Sequence, residues 1–228
     1  MLRLLRHLLL SASMSLPMVA GAQPVSEAET LLFETDHLAS LKPPAHLAYT
    51  FRHVASTEES FDDQVQLDAV RAGPAGPVRV TLRFLSGARQ WPGPALDDPH
   101  GNPVLLGFLE RDIAEMHRMT GGAASYFRRQ IRLALAAHAT VSTQSFTFGG
   151  KSYQGRVIVI QPYRDTALPQ RLQRFVHKSY QFVLGDGLPG GIYRIRTSLT
   201  APSIALAAAG GDLLDETLTL DSVADGRR

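Results

Sequence analysis

Hydrophobic and polar residues alternate with a period of two over most of the chain, as is typical of strands with one buried face. Three such runs lie between residues 47 and 84, separated by short turn sequences rich in Ser, Gly and Pro. Consecutive half-buried strands joined by short turns predict an antiparallel meander. Further runs are predicted as strands at residues 140–148, 153–161, 175–184, 193–199 and 215–223. We therefore expect about eight or nine antiparallel strands.

One stretch, residues 101–137, breaks this pattern because its apolar residues recur three and four positions apart. That spacing predicts two amphipathic helices. Asn102 is the predicted N-cap of the first helix and Pro103 its first residue, where a missing N–H costs nothing. Gly121-Gly122 is predicted to end it.

A shorter helix is predicted near the N-terminus, over residues 27–39. Ser26 and Glu29 have the spacing of a capping box, and Pro43-Pro44 marks the latest possible end. The predicted fold class is therefore α+β. A strongly curved antiparallel sheet, or half-open barrel, carries the N-terminal helix and the central helix pair on its concave side, since long antiparallel sheets curl to cover their apolar face and protect their edges.

The first 22 residues have the layout of a secretory signal peptide. Arg3 and Arg6 precede an apolar stretch, and Ala20-Gly21-Ala22 has the small residues of a cleavage site. A short membrane anchor is the alternative, but serines and a proline interrupt the apolar stretch. We expect an exported, periplasmic protein without a transmembrane segment after signal removal. Residues 23–224 form its single predicted domain, and residues 225–228 a frayed tail.

Composition excludes several kinds of function. The formal charge of +2 arises from 23 basic and 21 acidic residues. Removal of Arg3 and Arg6 with the signal peptide leaves no basic excess, which argues against a nucleic-acid partner. The chain contains no cysteine, so disulfides, thiolate metal sites and cysteine nucleophiles are excluded.

Candidate catalytic and metal-ligating residues form no recognisable motif. His46 and His53 lie seven positions apart on one predicted strand, so they point to opposite faces and cannot chelate together. Asp97, Asp98 and His100 are clustered, which allows a calcium or catalytic site, but acids before a helix start favour a helix entry. We therefore predict no catalytic residue, no metal and no cofactor, while a site assembled from distant residues remains an alternative.

Two groups of residues are candidates for binding. The first is the apolar stripe of the central helices, which could contact an apolar ligand or form permanent core. Its residues are Leu105, Phe108, Leu109, Ile113, Met116 and Phe127. The second is a basic patch that could meet an anionic partner such as lipid head groups, or simply be a solvated helix face. Its residues are Arg128, Arg129 and Arg132.

The order of elements resembles the periplasmic lipoprotein carriers and receptor of the LolA/LolB-like fold, and locally so does Gly101-Asn102-Pro103 leading into Val104 to Leu109. That resemblance implies an unclosed barrel with helices over a hydrophobic cavity. The chain is also similar to an uncharacterised group of exported Gram-negative proteins. The stretches that carry this second resemblance are residues 84–87, 101–104, 108–112 and 189–193. Neither resemblance assigns a functional residue here.

Three functions are consistent with these patterns. The leading hypothesis is a non-enzymatic periplasmic protein that shelters a lipid or acyl chain between sheet and helices. The alternative is a cell-envelope interaction or assembly factor with a packed core and a protein partner. A hydrolase without a recognisable motif is the third, and it predicts that His, Asp or Ser side chains converge in a cleft.

Overall fold

The computed structural model describes residues 24–164, 170–200 and 213–225. The predicted signal peptide and residues 226–228 of the predicted tail lie outside these ranges. Within them, no helix combines the length and the apolar character needed to cross a membrane.

The described strands form one antiparallel sheet in the order β4-β3-β2-β1-β10-β9-β8-β7-β6, with β5 beside β3. Their bounds are β1 Ala45–Ala55, β2 Phe61–Arg71, β3 Val78–Phe84, β4 Trp91–Pro92, β5 Leu96–Asp97, β6 Thr140–Phe148, β7 Lys151–Ile160, β8 Lys178–Gly185, β9 Ile192–Leu199 and β10 Leu214–Asp225. Two meanders meet where the first long strand, β1, pairs with the last, β10. The sheet does not close, because β4 and β6 each have one neighbour in this order. The predicted α+β half-open barrel is confirmed.

The alternation read from the sequence sets which face of each strand is buried. In β1, Leu47, Tyr49 and Phe51 are buried, while the residues between them are more exposed. The β6–β7 hairpin turns on two glycines, Gly149 at φ 55° and Gly150 at φ 74°. Because these two residues make the whole turn, β7 begins at Lys151, two positions before the predicted start.

One predicted strand begins too early. Residues 175–177 belong to a 3-10 helix, Gln170–His177, and β8 starts only at Lys178. Phe175 lies on this helix, and its side chain is buried. It therefore supplies an apolar residue at strand spacing without being part of the strand.

The N-terminal helix α1 is shorter than predicted. It spans Glu27–Glu29, continues as a π-helical turn over Thr30–Glu34, and carries the predicted capping box at Ser26. Its last carbonyls are already bound. The Thr35 hydroxyl donates to the Thr30 carbonyl at 3.0 Å, and the His37 ring binds the Leu31 carbonyl at 2.9 Å. These bonds replace the ones that a longer helix would make.

The central helices are α2, Pro103–Thr120, and α3, Ala124–His138. Both bury an apolar stripe in the core formed by the inner face of the sheet. Gly107 lets α2 approach β3 closely, because a Cβ there would lie 2.9 Å from Phe84 Cδ2. Gly121, at φ 66°, ends α2 as predicted.

The N-cap of α2 also clamps the helix to its surroundings. Asn102 Oδ1 accepts from the Val104 N–H at 3.0 Å, as predicted for the cap. Its Nδ2 donates to the Tyr49 hydroxyl at 3.0 Å and to the Gly190 carbonyl at 2.7 Å. The amide is buried, so it fixes the start of α2 against β1 and the β8–β9 turn.

Candidate functional site

A cavity of about 410 Å³ opens between α2, the ends of β1, β9 and β10, and the 3-10 helix before β8. Ligand pockets in proteins commonly measure about 300–1,000 Å³. One part of the wall is apolar and consists of Phe61, Met119, Phe175, Leu199, Leu213 and Leu214. The other part is charged and includes Arg89, Arg111, Arg118, Arg174, Glu58, Asp112, Glu115, Glu216 and His53. The cavity therefore suits a molecule with both an apolar and a polar part.

Helix α2 presents its more polar side to this cavity. Arg111, Glu115, Arg118 and Met119 line it, and their spacing places them on one face of the helix. The apolar stripe of α2 lies on the neighbouring face, toward the sheet. The sequence pattern thus separates the two faces correctly, but it does not indicate that a cavity lies beside the polar one.

Glu216 is a buried carboxylate that binds two basic side chains. Glu216 Oε1 accepts a hydrogen bond from His53 Nδ1 at 2.8 Å and another from Arg111 Nη1 at 2.7 Å. Burial would raise the pKa of Glu216, but the His53 hydrogen bond and the charges of Arg111 and Lys178 outweigh it and lower the pKa to about 2. Glu216 is therefore ionised at neutral pH.

The other ring nitrogen of His53 is unused. Its Nε2 is buried and makes no hydrogen bond to any described residue. An ionised Glu216 holds a proton on Nδ1, so the neutral ring offers a lone pair at Nε2. A serine-histidine-acid triad needs a hydroxyl bonded to this nitrogen. None of the described residues supplies one, although His53 and Glu216 do converge in a cleft.

A second buried ion pair lies beside the first. Asp112 accepts from Lys178 Nζ at 2.6 Å through Oδ1 and from the Tyr180 hydroxyl at 2.5 Å through Oδ2. Burial, and then the charge of Asp112, raise the pKa of Tyr180 well above its usual value. The same two causes raise the pKa of Tyr163, whose hydroxyl is buried near Tyr180 and Asp112.

These two networks anchor α2 to the sheet. Arg111 connects the helix to Glu216 on β10, and Asp112 connects it to Lys178 and Tyr180 on β8. Arg111 also lies over the Phe51 ring of β1, 4.7 Å from its centroid. Any movement of α2 away from the sheet would separate charges that water reaches poorly.

The six apolar residues singled out in the sequence are all buried in one core cluster. They are Leu105, Phe108, Leu109, Ile113, Met116 and Phe127, and none is more than 6% exposed. Phe108 packs against Phe51, with ring centroids 6.3 Å apart. None of the six lines the cavity. Their contact with a ligand stays a prediction.

The basic patch is divided. Arg128 binds Glu110 of α2 through two hydrogen bonds, of 2.7 and 2.6 Å. Arg129 and Arg132 are exposed and make no ion pair with the described residues. Leu133, beside them, is 47% exposed.

The clustered acids before α2 bind residues of β3. Asp97 pairs with Arg79 at 2.8 Å, and Asp98 accepts from the Val78 N–H at 2.7 Å. These contacts hold β5 against β3, a role that the helix-entry interpretation did not include. His46 and His53 do point to opposite faces of β1, and the described residues contain no group of three or more potential metal ligands.

The sequence analysis did not identify the buried charged and polar residues that lie in and beside the cavity. A usable signal was present, because each shares the parity of the apolar positions on its strand. His53 follows Phe51 by two, Glu216 precedes Leu218 by two, and Lys178 precedes Tyr180 by two. A charged or polar residue at a core position indicates either a buried pair or a site.

Comparisons with known proteins give only distant similarities. No protein-family model and no curated protein matches the chain. Among solved structures, it is similar to the Mycobacterium tuberculosis lipoprotein LppX, with 10% identity, a TM-score of 0.35 and coverage of 89% of this chain and 99% of that one. For LprF from Mycobacterium bovis the identity is 14%, the TM-score 0.33 and the coverage 91% and 97%.

A LolA superfamily protein from Nitrosomonas europaea is also similar, at 9% identity and a TM-score of 0.23, covering 88% of this chain and 94% of that protein. TM-scores this low carry no argument about the ligand or the partner.

Proposed function

We propose that the chain is an exported periplasmic protein, not an enzyme, that binds a lipid or acyl chain between its sheet and its helices. The observation that carries this proposal is the cavity of about 410 Å³ with one apolar and one charged wall. Leu199, Leu214 and Phe175 offer the apolar surface that an alkyl chain needs, and burying each CH₂ there is worth about 0.8 kcal/mol.

The six core residues of the helix pair belong to the same proposal. Met119 lines the cavity, and Met116 lies three positions earlier on α2, on the core side. A chain that extends past Met119 meets Met116 and Ile113 next. It reaches Leu105, Phe108, Leu109 and Phe127 only if the helix pair hinges at Gly121-Gly122. Ligand contact with the stripe thus requires α2 to move during loading.

The first test is extraction of the purified mature protein followed by lipid mass spectrometry. We expect a co-purifying lipid in the native chain and its loss in Met119→Trp, which fills the cavity. Leu106→Trp is the matched control, because Leu106 is on the same helix but 54% exposed. If neither extracts nor added lipids show binding, the carrier proposal is wrong, and the envelope assembly factor and the hydrolase are the functions left to test.

We also propose that Arg129 and Arg132 attract an anionic membrane surface. Both arginines are exposed without an ion pair in the described structure, and the exposed Leu133 adds apolar contact. Each basic residue near an anionic bilayer contributes about 1 kcal/mol. In a sedimentation assay, the affinity for phosphatidylglycerol vesicles should therefore fall roughly thirtyfold in the double variant Arg129→Gln/Arg132→Gln. Arg128→Gln, which removes a paired arginine, should have a much smaller effect, and equal effects would contradict the proposal.

A further inference from the structure

One arginine that lines the cavity has no carboxylate partner among the described residues. Arg174 is exposed on the 3-10 helix before β8, and its guanidinium lies over the Phe175 ring at 4.7 Å from the centroid. It makes no ion pair with the described residues. The other lining arginines have carboxylate partners: Arg89 with Asp63, Arg111 with Glu216, and Arg118 with Glu115 and Glu58.

The lining carboxylates, in contrast, all have a cationic partner. Glu58 and Glu115 bind Arg118, Asp112 binds Lys178, and Glu216 binds Arg111. Arg174 is therefore the one lining arginine whose charge no described carboxylate compensates. An anionic group of a ligand would form a charge-assisted hydrogen bond with this unpaired guanidinium.

His53 supplies a second, independent indication of a ligand. Its side chain is only 7% exposed, yet Nε2 has no hydrogen-bond partner among the described residues. Leaving a buried polar atom unsatisfied costs free energy unless a ligand or water binds it. A carboxylic acid fits this position in either protonation state. A neutral acid donates a hydrogen bond to an unprotonated Nε2, and a carboxylate accepts a hydrogen bond from a protonated Nε2.

The surroundings of His53 limit the charge of the ligand. Glu58 Oε2 lies 3.9 Å from His53 Nε2, so a head group with two negative charges would be repelled in this partly enclosed site. A single carboxylate meets less of this repulsion, and Arg174 and His53 are two lining groups that offer it a hydrogen bond. An attached alkyl chain would lie along Met119, Leu199 and Leu214.

We propose that the ligand of this cavity is an amphiphile with one carboxylate head group, of the fatty-acid class, bound through Arg174 and His53. The inference rests on the function proposed above and specifies its ligand. It assigns the head group to the charged wall and the alkyl chain to the apolar wall.

The test is calorimetric titration of the delipidated mature protein with dodecanoate and with methyl dodecanoate, which has the same chain but no charge. We expect the ester to bind about tenfold more weakly, the typical effect of losing a hydrogen bond to a charged group. Arg174→Gln should lower the affinity for dodecanoate by a similar factor and leave the ester unchanged. Arg52→Gln removes an exposed arginine of β1 that does not line the cavity, and it should change neither.

The outcomes distinguish this inference from the function on which it rests. If acid and ester bind equally, or if Arg174→Gln leaves dodecanoate binding unchanged, the head-group assignment is wrong but the apolar-ligand function stands. If neither compound binds, the proposed function is wrong as well. If lysophosphatidylglycerol binds more tightly than dodecanoate, the head group is a phosphodiester and the carboxylate class is overturned.

Discussion

Lys178 Nζ lies 2.6 Å from Asp112 Oδ1, and both side chains are buried beneath α2. A buried ammonium is tolerated only beside a compensating charge, because removing it from water costs several kcal/mol. Asp112 provides that charge from the helix, while Lys178 extends from the first position of β8. The pair therefore connects the helix layer to the sheet by electrostatics as well as by packing.

Removal of the Asp112 charge should strongly destabilise the protein. Asp112→Asn keeps the shape of the side chain but removes the hydrogen-bonded counterion of the buried Lys178, and breaking such a buried pair typically costs about 3–5 kcal/mol. Asp112→Asn/Lys178→Met removes both charges and retains an oxygen for Tyr180, so most of the lost stability should return. Urea unfolding of the two variants measures the difference.

An exposed ion pair gives the matched control for this comparison. Glu110 of α2 binds Arg128 of α3, and the arginine side chain is 51% exposed. Glu110→Gln should cost less than about 1 kcal/mol, because water replaces the lost partner. If Asp112→Asn is no more costly than Glu110→Gln, the buried charge does not determine the stability.

Stability should fall in acid through Glu216. Its folded-state pKa of about 2 lies below the usual 4.5, so the unfolded chain binds more protons between these values. The stabilisation is therefore complete above pH 4.5 and is lost as the pH falls toward 2, with a total of roughly 3 kcal/mol. Urea unfolding from pH 5.5 to 2.5 should show this slope.

Glu216→Gln separates this effect from that of other acids. Asp63 and Asp97 also have lowered pKa values, so part of the acid sensitivity will remain in the variant. The slope between pH 4.5 and 2 should nevertheless become shallower. An unchanged slope would show that Glu216 is not the group that titrates.

The sequence predicted the sheet well because one physical rule, alternation of apolar residues, sets both the strands and their buried face. It located α2 equally well, since Asn102, Pro103 and Gly121 are local signals for the ends of a helix. Its errors fall where a side chain replaces a backbone hydrogen bond of a helix, or where a buried apolar residue lies just outside a strand. Thr35 and His37 take the carbonyls that a longer α1 would use, and Phe175 is buried from a 3-10 turn.

The cavity could not be derived in the same way. Its residues come from distant parts of the chain: His53 and Glu216 are 163 positions apart. A strand pattern places each of them on the core face, but it does not say which charged residues meet across the sheet. That requires the pairing of β1 with β10, which brings His53 opposite Glu216. The sequence contains no local signal for this pairing.

Asn102 should prove more important than an ordinary helix cap. Asn102→Asp keeps an oxygen for the Val104 N–H but places a carboxylate against the Gly190 carbonyl, where Nδ2 now donates at 2.7 Å. We expect a loss well above the roughly 1 kcal/mol typical of a cap. Ser26→Ala, which removes the half-buried cap of α1 and its hydrogen bond to the Leu135 carbonyl, is the reference. If Asn102→Asp and Ser26→Ala lower the free energy of unfolding in urea by similar amounts, Asn102 does not clamp the helix to its surroundings.

Movement of α2 can be followed with a single cysteine, because the chain contains none of its own. Met116→Cys places a thiol in the core, whereas Leu133→Cys places one on the outer face of α3, at a position 47% exposed. The exposed thiol should be alkylated at once. The buried thiol should react slowly, only when α2 separates from the sheet. Asp112→Asn should accelerate that reaction by removing an anchor.

A bound ligand should slow the alkylation of Met116→Cys and leave Leu133→Cys unchanged, if loading places an alkyl chain between α2 and the sheet. Urea unfolding kinetics of the same variant supply the rate of global opening. The alkylation of Met116→Cys could be no faster than global unfolding and unaffected by dodecanoate. In that case the apolar stripe of α2 is permanent core. Ligand contact would then be confined to the cavity wall around Met119, Leu199 and Leu214.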